Sequence, residues 1–224
     1  MAGQHADPGI LRSKAESECL DQVPVAQLFA NFSTESMLTE HAPESFCQLD
    51  PRDGSVIIYN SSRARRPHGS KAHDAEEAER CKPDECPVCQ GKTTSIIDLS
   101  ELHEGYTFIN KNLFPILFPP RSKMAPDCLD ATLYPDPDHN KGREMYGVHY
   151  LQWTSSYHER DWHNLGHEDR VIVLDRLAAL EEKLLFGSAE LMPSSSYASK
   201  ANGVGTNGYV SIIKNYGAAV GSSL

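Results

Sequence analysis

The stretch Glu168-Asp-Arg-Val-Ile-Val-Leu-Asp-Arg-Leu-Ala-Ala-Leu-Glu-Glu-Lys-Leu-Leu-Phe186 carries the clearest periodic signal in the chain. Val173, Leu177, Leu180 and Leu184 recur at spacings of 4, 3 and 4, which places them on one face of an α-helix. The remaining positions are largely charged. Such a helix covers one face of a sheet and turns its other side to water. The sheet is legible just upstream, in Gly147-Val-His-Tyr-Leu-Gln-Trp153. There Val148, Tyr150 and Gln152 alternate with His149, Leu151 and Trp153. Val56-Ile-Ile-Tyr59 and Tyr106-Thr-Phe-Ile109 read as further short strands.

Downstream of the helix, the stretch 187–208 is rich in Ser, Gly and Asn and reads as a long flexible loop. A β-prone run follows, Tyr209-Val-Ser-Ile-Ile213, and then Lys214-Asn-Tyr-Gly-Ala-Ala-Val-Gly-Ser-Ser-Leu224. A strand that breaks into glycines and small residues leaves bare backbone amides where an anion can approach. Upstream, residues 1–45 are polar and weakly periodic, and read as an N-terminal extension, partly disordered, with one short helix expected over 23–32. Asp-Gly at 53–54 marks the turn where order is expected to begin.

The 224 residues are 39% hydrophobic and 23% charged, which supports a packed core rather than global disorder. A formal net charge of -10 argues against general binding to nucleic acid or to an anionic membrane. No apolar run approaches the roughly 20 residues of a membrane helix, and no apolar secretory segment is readable near the start. A cytoplasmic, reducing compartment is the expectation, in which the six cysteines are thiols or metal ligands before they are disulfides.

Several segments carry chemistry. Asn60-Ser-Ser-Arg-Ala-Arg-Arg-Pro67 concentrates arginines before a proline. Their planar, permanently charged forks suit phosphate, and a solvated basic loop is the plainer reading. Cys86-Pro-Val-Cys89 on a Pro/Gly turn suits one edge of a tetrahedral zinc site, with the other ligands coming from far away in sequence. A redox pair or structural thiols are the alternatives. Of His158, His163 and His167, His158 leaves the strand first and is best placed to complete a distant Cys-x-x-Cys. Asn112, on the proline-broken segment after the 106–109 strand, either bonds a ligand or forms a turn. The stretch 121–141 is rich in Pro and Asp and reads as a surface insertion; its acidic cluster reads as solvated.

Taken in order, these motifs resemble the N-terminal half of the galactose-1-phosphate uridylyltransferase family, within the histidine-triad superfamily. The resemblance runs from about Val56 to Leu224. It rests on Arg63-Ala-Arg-Arg66-Pro67, Cys86-Pro-Val-Cys89, Asn112-Leu-Phe-Pro115, the strand leading to His158, and Asn215-Tyr-Gly-Ala-Ala-Val-Gly-Ser-Ser223. It implies an α+β fold, a largely antiparallel sheet with packed helices, over 46–224. It also implies an enzyme that transfers a nucleotide from a nucleotide sugar to a sugar phosphate through a nucleotidyl-histidine, as in UDP-glucose and galactose 1-phosphate exchange. Phosphorylases of ADP-sugars or dinucleoside polyphosphates are close variants, and a non-catalytic zinc- or nucleotide-binding module is the reading from another class. By the resemblance, Arg63 and Arg66 lie near the phosphates and Asn112 near the nucleoside. Asn215 supports the reactive histidine, and Gly221 and Ser223 belong to its phosphate loop. Cys86, Cys89 and His158 are three ligands of a structural zinc. In the family a His-x-His-x-Gln motif comes next, supplying the fourth ligand and the nucleophile. None of the ten histidines here stands in such a motif. The 224 residues are therefore expected to be inactive alone, with a missing second half-domain or a homodimer as the implied partner.

Overall fold

The computed structural model describes residues 7–17, 19–43, 45–50, 52–53, 55–60, 82–119, 143–144, 146–186, 199–201, 204–206 and 210–215. Arg63, Arg66, Gly221, Ser223 and the stretch 121–141 lie outside the described residues.

The architecture is α+β. The central sheet is antiparallel, in the order β3-β4-β6, from β3 (Ile96–Glu101), β4 (Tyr106–Lys111) and β6 (Tyr150–Trp153). A tight hairpin joins β3 to β4. Gly105 closes it at φ +79°, where a side chain would be strained and a Cβ would also lie 2.5 Å from Ser156 Oγ. The register shifts between Ile96 and Asp98. That irregularity helps β3 serve both faces of the sheet. Ile96 and Leu99 join Phe108 in one core cluster, and Ile97 joins Ile109 in another.

The strand expected over 147–153 pairs only at Tyr150–Trp153. The segment opposite its start is Leu113-Phe-Pro-Ile-Leu-Phe-Pro119, and its prolines have no N–H to extend a ladder. The backbones meet in isolated bonds instead, Asn112 N–H to the His149 carbonyl (2.9 Å) and Gly147 N–H to the Phe118 carbonyl (3.2 Å).

α4 (His167–Phe186) lies on the Ile97/Ile109 face, as its periodicity predicts. Val173 and Leu180 are buried, and Leu177 and Leu184 are half-buried. Arg176 fastens the helix by donating to Asp98 of β3 from Nε (3.0 Å) and Nη2 (2.9 Å). Asp98 holds the Arg176 guanidinium well above its usual pKa.

Residues 7–43, expected within a polar extension, are packed into this core. They form α1 (Pro8–Ser13), a 3₁₀ turn at Leu20–Gln22, α2 (Val25–Thr34) and α3 (Ser36–Thr39). Leu11, Leu20, Phe32 and Leu38 are fully buried and Leu28 is 1% exposed. The expected helix over 23–32 corresponds to α2. The elements are too short for their anchors to repeat at a helical period, which hides them in sequence. The chain also adds to the free edge of β3. Ala15 bridges Ile96 in parallel, with Ile96 N–H bonded to the Lys14 carbonyl and Glu16 N–H to the Ile96 carbonyl.

A second antiparallel sheet, β2-β1-β5, comprises β1 (Ser45–Leu49), β2 (Val56–Asn60) and β5 (Arg143–Glu144). Order thus begins ahead of the Asp-Gly turn. The Asn60 amide ties this sheet to the proline-broken segment by donating to the Ile116 carbonyl at 2.8 Å. Within the expected flexible loop 187–208, β7 (Ser199–Ala201) and β8 (Val204–Thr206) form a hairpin.

The strand expected over 209–213 does not form at 210–213. No described strand edge pairs with these residues, and Ile212 and Ile213 are 50% and 74% exposed. A β-prone alternation becomes a strand only where a partner completes its ladder. Among the described residues, no helix is long and apolar enough to cross a membrane.

Candidate metal centre and adjoining cavity

Cys86 to Gly91 forms a compact knuckle. Gln90 N–H bonds the Cys86 carbonyl (3.0 Å), Gly91 N–H the Val88 carbonyl (2.9 Å) and Lys92 N–H the Pro87 carbonyl (2.8 Å). Gly91 completes the turn at φ +65°, and a Cβ there would come within 2.0 Å of Ile10 Cγ2 on α1. Glycine is required on both counts. Leu11 of α1 joins Cys86 and Val88 in one core cluster, so the N-terminal segment backs the knuckle from behind.

His158 reaches the knuckle from the loop after β6. That loop is stapled to the start of β4 by Ser156 N–H to the Tyr106 carbonyl (2.7 Å) and Tyr106 N–H to Ser156 Oγ (3.0 Å). The ligand atoms of Cys86, Cys89 and His158 all lie within 4.8 Å of one another, close enough to hold one metal ion. Cys89 Sγ and His158 Nδ1 are 3.4 Å apart. Cys86 is buried, and Cys89 and His158 are half-buried. His163 and His167 are exposed and join no such group among the described residues.

A cavity of about 180 Å³ opens beside the knuckle. The two residues between the cysteines, Pro87 and Val88, line it together with Thr94, Asn112, Leu113 and Trp153. Most of its polar groups are committed to one another. The Asn110 amide donates to Thr94 Oγ1 (2.9 Å) and accepts from Trp153 Nε1 (3.0 Å), and Thr94 Oγ1 donates to the Lys111 carbonyl.

Asn112 is held differently from Asn110. Its oxygen accepts from Phe114 N–H at 2.9 Å, an Asx turn that realises the turn-forming expectation and fixes the amide's orientation. Its nitrogen lies 3.2–3.3 Å from the ring nitrogens of His149. Ile116 N–H donates to His149 Nδ1 at 3.0 Å, so the neutral ring carries its proton on Nε2. The Asn112 amide nitrogen therefore rests against the His149 ring at the edge of the cavity.

Comparison of the chain with models of known protein families found no match, and neither did comparison with curated proteins or with solved structures.

Asn215 is exposed. Its neighbour Lys214 docks the terminal segment by pairing with Asp161, three residues past His158, at 2.7 Å. Burial raises the Asp161 pKa. The hydrogen bonds from Lys214, Trp162 N–H and the Thr154 hydroxyl outweigh burial and hold it below the usual carboxylate range.

Three contributors escaped the sequence reading. In the sequence Asn110 reads only as the start of the segment leaving the 106–109 strand, and Trp153 only as a strand residue. Lys111 ends β4 fully buried, with its ammonium on Glu16 (2.5 Å), Glu35 (2.9 Å) and the Asn31 carbonyl (3.1 Å). A lysine between two asparagines at a strand end was the available signal. Its partners come from a segment that carried no motif.

Proposed function

We propose that this chain is the nucleotide-binding part of a nucleotidyltransferase of the galactose-1-phosphate uridylyltransferase type, histidine-triad-like in fold. Cys86, Cys89 and His158 hold a structural zinc ion. The observation that carries the reading is the junction of metal centre and cavity. The residues between the two cysteines are also cavity wall, beside an asparagine whose amide is oriented by Phe114 N–H and His149.

The donor set suits zinc. Two thiolates and an imidazole are borderline-soft ligands of its usual kind. Bond lengths of about 2.3 Å to sulfur and 2.0 Å to nitrogen put the S···N edge of a tetrahedron near 3.5 Å. Cys89 and His158 stand 3.4 Å apart. Bound zinc would fix the knuckle to the loop after β6 and hold one cavity wall in place. The expected loss is therefore of order, not of a reactive group.

The cavity's size limits what it takes. Pockets that enclose a drug-sized ligand run to about 300–1,000 Å³. At about 180 Å³ this one suits a single ring system, such as the base of a nucleotide. The Asn112 amide would donate to a base carbonyl, and Leu113, Val88 and Trp153 supply apolar wall. The diphosphate and sugar would lie outside it. The resemblance assigns the phosphates to Arg63 and Arg66 and the transfer itself to a histidine of a His-x-His-x-Gln motif. UDP-glucose and galactose 1-phosphate are the substrates it implies.

Titration calorimetry with UDP-glucose tests the reading. Saturable binding is expected, weakened about tenfold by Asn112→Ala, the equivalent of one lost hydrogen bond at roughly 1.4 kcal/mol. No binding would overturn it. Elemental analysis should find zinc in the purified chain and much less in Cys86→Ser. Equal content in both would remove the metal centre. A non-catalytic zinc- or nucleotide-binding module is the second reading, supported by the Cys86, Cys89 and His158 cluster, which can hold a metal ion in a purely structural role. Binding of UDP-glucose with no uridylyl exchange onto galactose 1-phosphate would support it.

A further inference from the structure

The cavity has one wall that none of the recognisable motifs supplies. Met37, on α3, lines it although it lies in the N-terminal segment. Both sides of Met37 are anchored. One residue on, Leu38 is fully buried against Phe32 and Phe118. Two residues back, Glu35 accepts from Ser95 N–H at 3.1 Å and pairs with the buried Lys111 ammonium at 2.9 Å. Ser95 follows Thr94, and Lys111 separates Asn110 from Asn112. The clamp thus grips the chain directly beside the cavity's polar residues, and Glu16 and the Asn31 carbonyl complete it on the same ammonium. Held this way, Met37 stays 47% exposed, a large apolar side chain left open at a cavity rather than tucked into the core beside it.

We infer that Met37 is a ligand-contacting wall of this cavity, its thioether packing against the planar base of a bound nucleotide. The inference rests on the proposal that the cavity takes such a base. The chemistry favours it. Methionine is unbranched and polarisable, fills irregular gaps, and makes favourable sulfur contacts with aromatic rings. A leucine of similar volume keeps most of the apolar contact and loses the sulfur. An alanine loses both.

The test uses the full chain and uridine 5′-monophosphate as the probe, with binding read by calorimetry. Met37→Ala is expected to weaken binding about tenfold, and Met37→Leu by no more than about threefold, because volume-conserving swaps cost least. Neither should move the thermal midpoint appreciably, since the side chain is half open to solvent; a shared drop in midpoint and affinity would assign Met37 a structural role and overturn the inference. A second readout needs no variant. Peroxide converts a methionine thioether to its sulfoxide, and saturating nucleotide should slow that conversion at Met37, read by peptide mass spectrometry. Unchanged affinity in Met37→Ala, or an unchanged oxidation rate in a chain that demonstrably binds the nucleotide, overturns the inference and leaves the proposed function standing. Failure of the unaltered chain to bind the nucleotide overturns both.

Discussion

Asp98 joins three elements through one carboxylate. It sits on β3 at 1% exposure, accepts from the Leu20 backbone N–H at 2.9 Å, and receives two bonds from Arg176 of α4. Asp98→Ala would strip a largely buried guanidinium of its two closest bonds, leaving its 3.4 Å contact to Asp21, and would leave a buried N–H without an acceptor. Breaking a buried pair from one side costs about 3–5 kcal/mol. Urea unfolding followed by circular dichroism should show a loss of that order, and a loss under about 1 kcal/mol would mean that water replaces the carboxylate without penalty. Gly91 makes the opposite kind of demand, for the absence of atoms. Gly91→Ala meets both the strain of φ +65° and the 2.0 Å approach to Ile10 Cγ2. Overpacking costs about 1–3 kcal/mol, so a second change, Ile10→Ala, should recover part of the loss but not the backbone strain. A double mutant no more stable than Gly91→Ala would show that backbone strain alone decides the position.

At the scale of elements, the knuckle, the loop after β6 and the terminal segment meet near His158, and charge holds the last of them. The folded-state pKa of Asp161 is depressed relative to its ordinary value of 3.8. A depressed carboxylate contributes stability above its unfolded pKa, and that contribution is lost as pH falls through the lower, folded value. The docked segment should therefore hold through mildly acidic pH and release only below the ordinary carboxylate range. An NMR titration of the Asp161 carboxyl carbon should place its midpoint below 3.8, and Lys214→Gln should move it upward, because burial then opposes ionisation with less to offset it. An unmoved midpoint would rule out the pairing. These elements were unequally legible in the sequence. α4 could be read because its apolar spacing persists over several turns, and the Cys-x-x-Cys because thiols at that spacing have few uses. His158 followed from its place at a strand exit. The 210–213 run could not be read correctly, because its own alternation says nothing about whether a free edge awaits it. Lys111 is the sharpest case. Its partner Glu16 lies 95 residues earlier, so no local pattern marks this lysine as buried rather than exposed.

At the scale of the whole molecule, the central sheet has two covered faces, and the N-terminal segment contributes to both. On one face, Leu20, Val23 and Leu28 complete the cluster of Ile97, Ile109 and Leu180. On the other, Leu11 packs with Cys86, Val88, Ile96, Leu99 and Phe108. Each large apolar side chain so buried contributes about 1.5–3 kcal/mol relative to exposure, while whole domains retain only about 5–15 kcal/mol. Losing the anchors at Leu11, Leu20, Leu28, Phe32 and Leu38 together would remove stability comparable to that whole margin. The electrostatic consequence runs the same way. Lys111 is fully buried, and Glu16, Glu35 and the Asn31 carbonyl all come from the segment. Without them β4 would carry an unpaired ammonium inside the core, where a charge persists only if water enters to solvate it or the proton leaves. A chain beginning at residue 45 should therefore keep its metal-binding side chains and lose the cooperative fold that aligns them. A broad thermal transition and binding of a hydrophobic dye are expected, the signs of a collapsed state without fixed packing. Adding a peptide spanning 7–43 in trans should sharpen the transition, because the segment's contacts to the sheet are numerous and need no covalent continuity. A sharp, peptide-independent melt of the shortened chain would show that the sheet and α4 form a domain on their own, and that the N-terminal segment only decorates it.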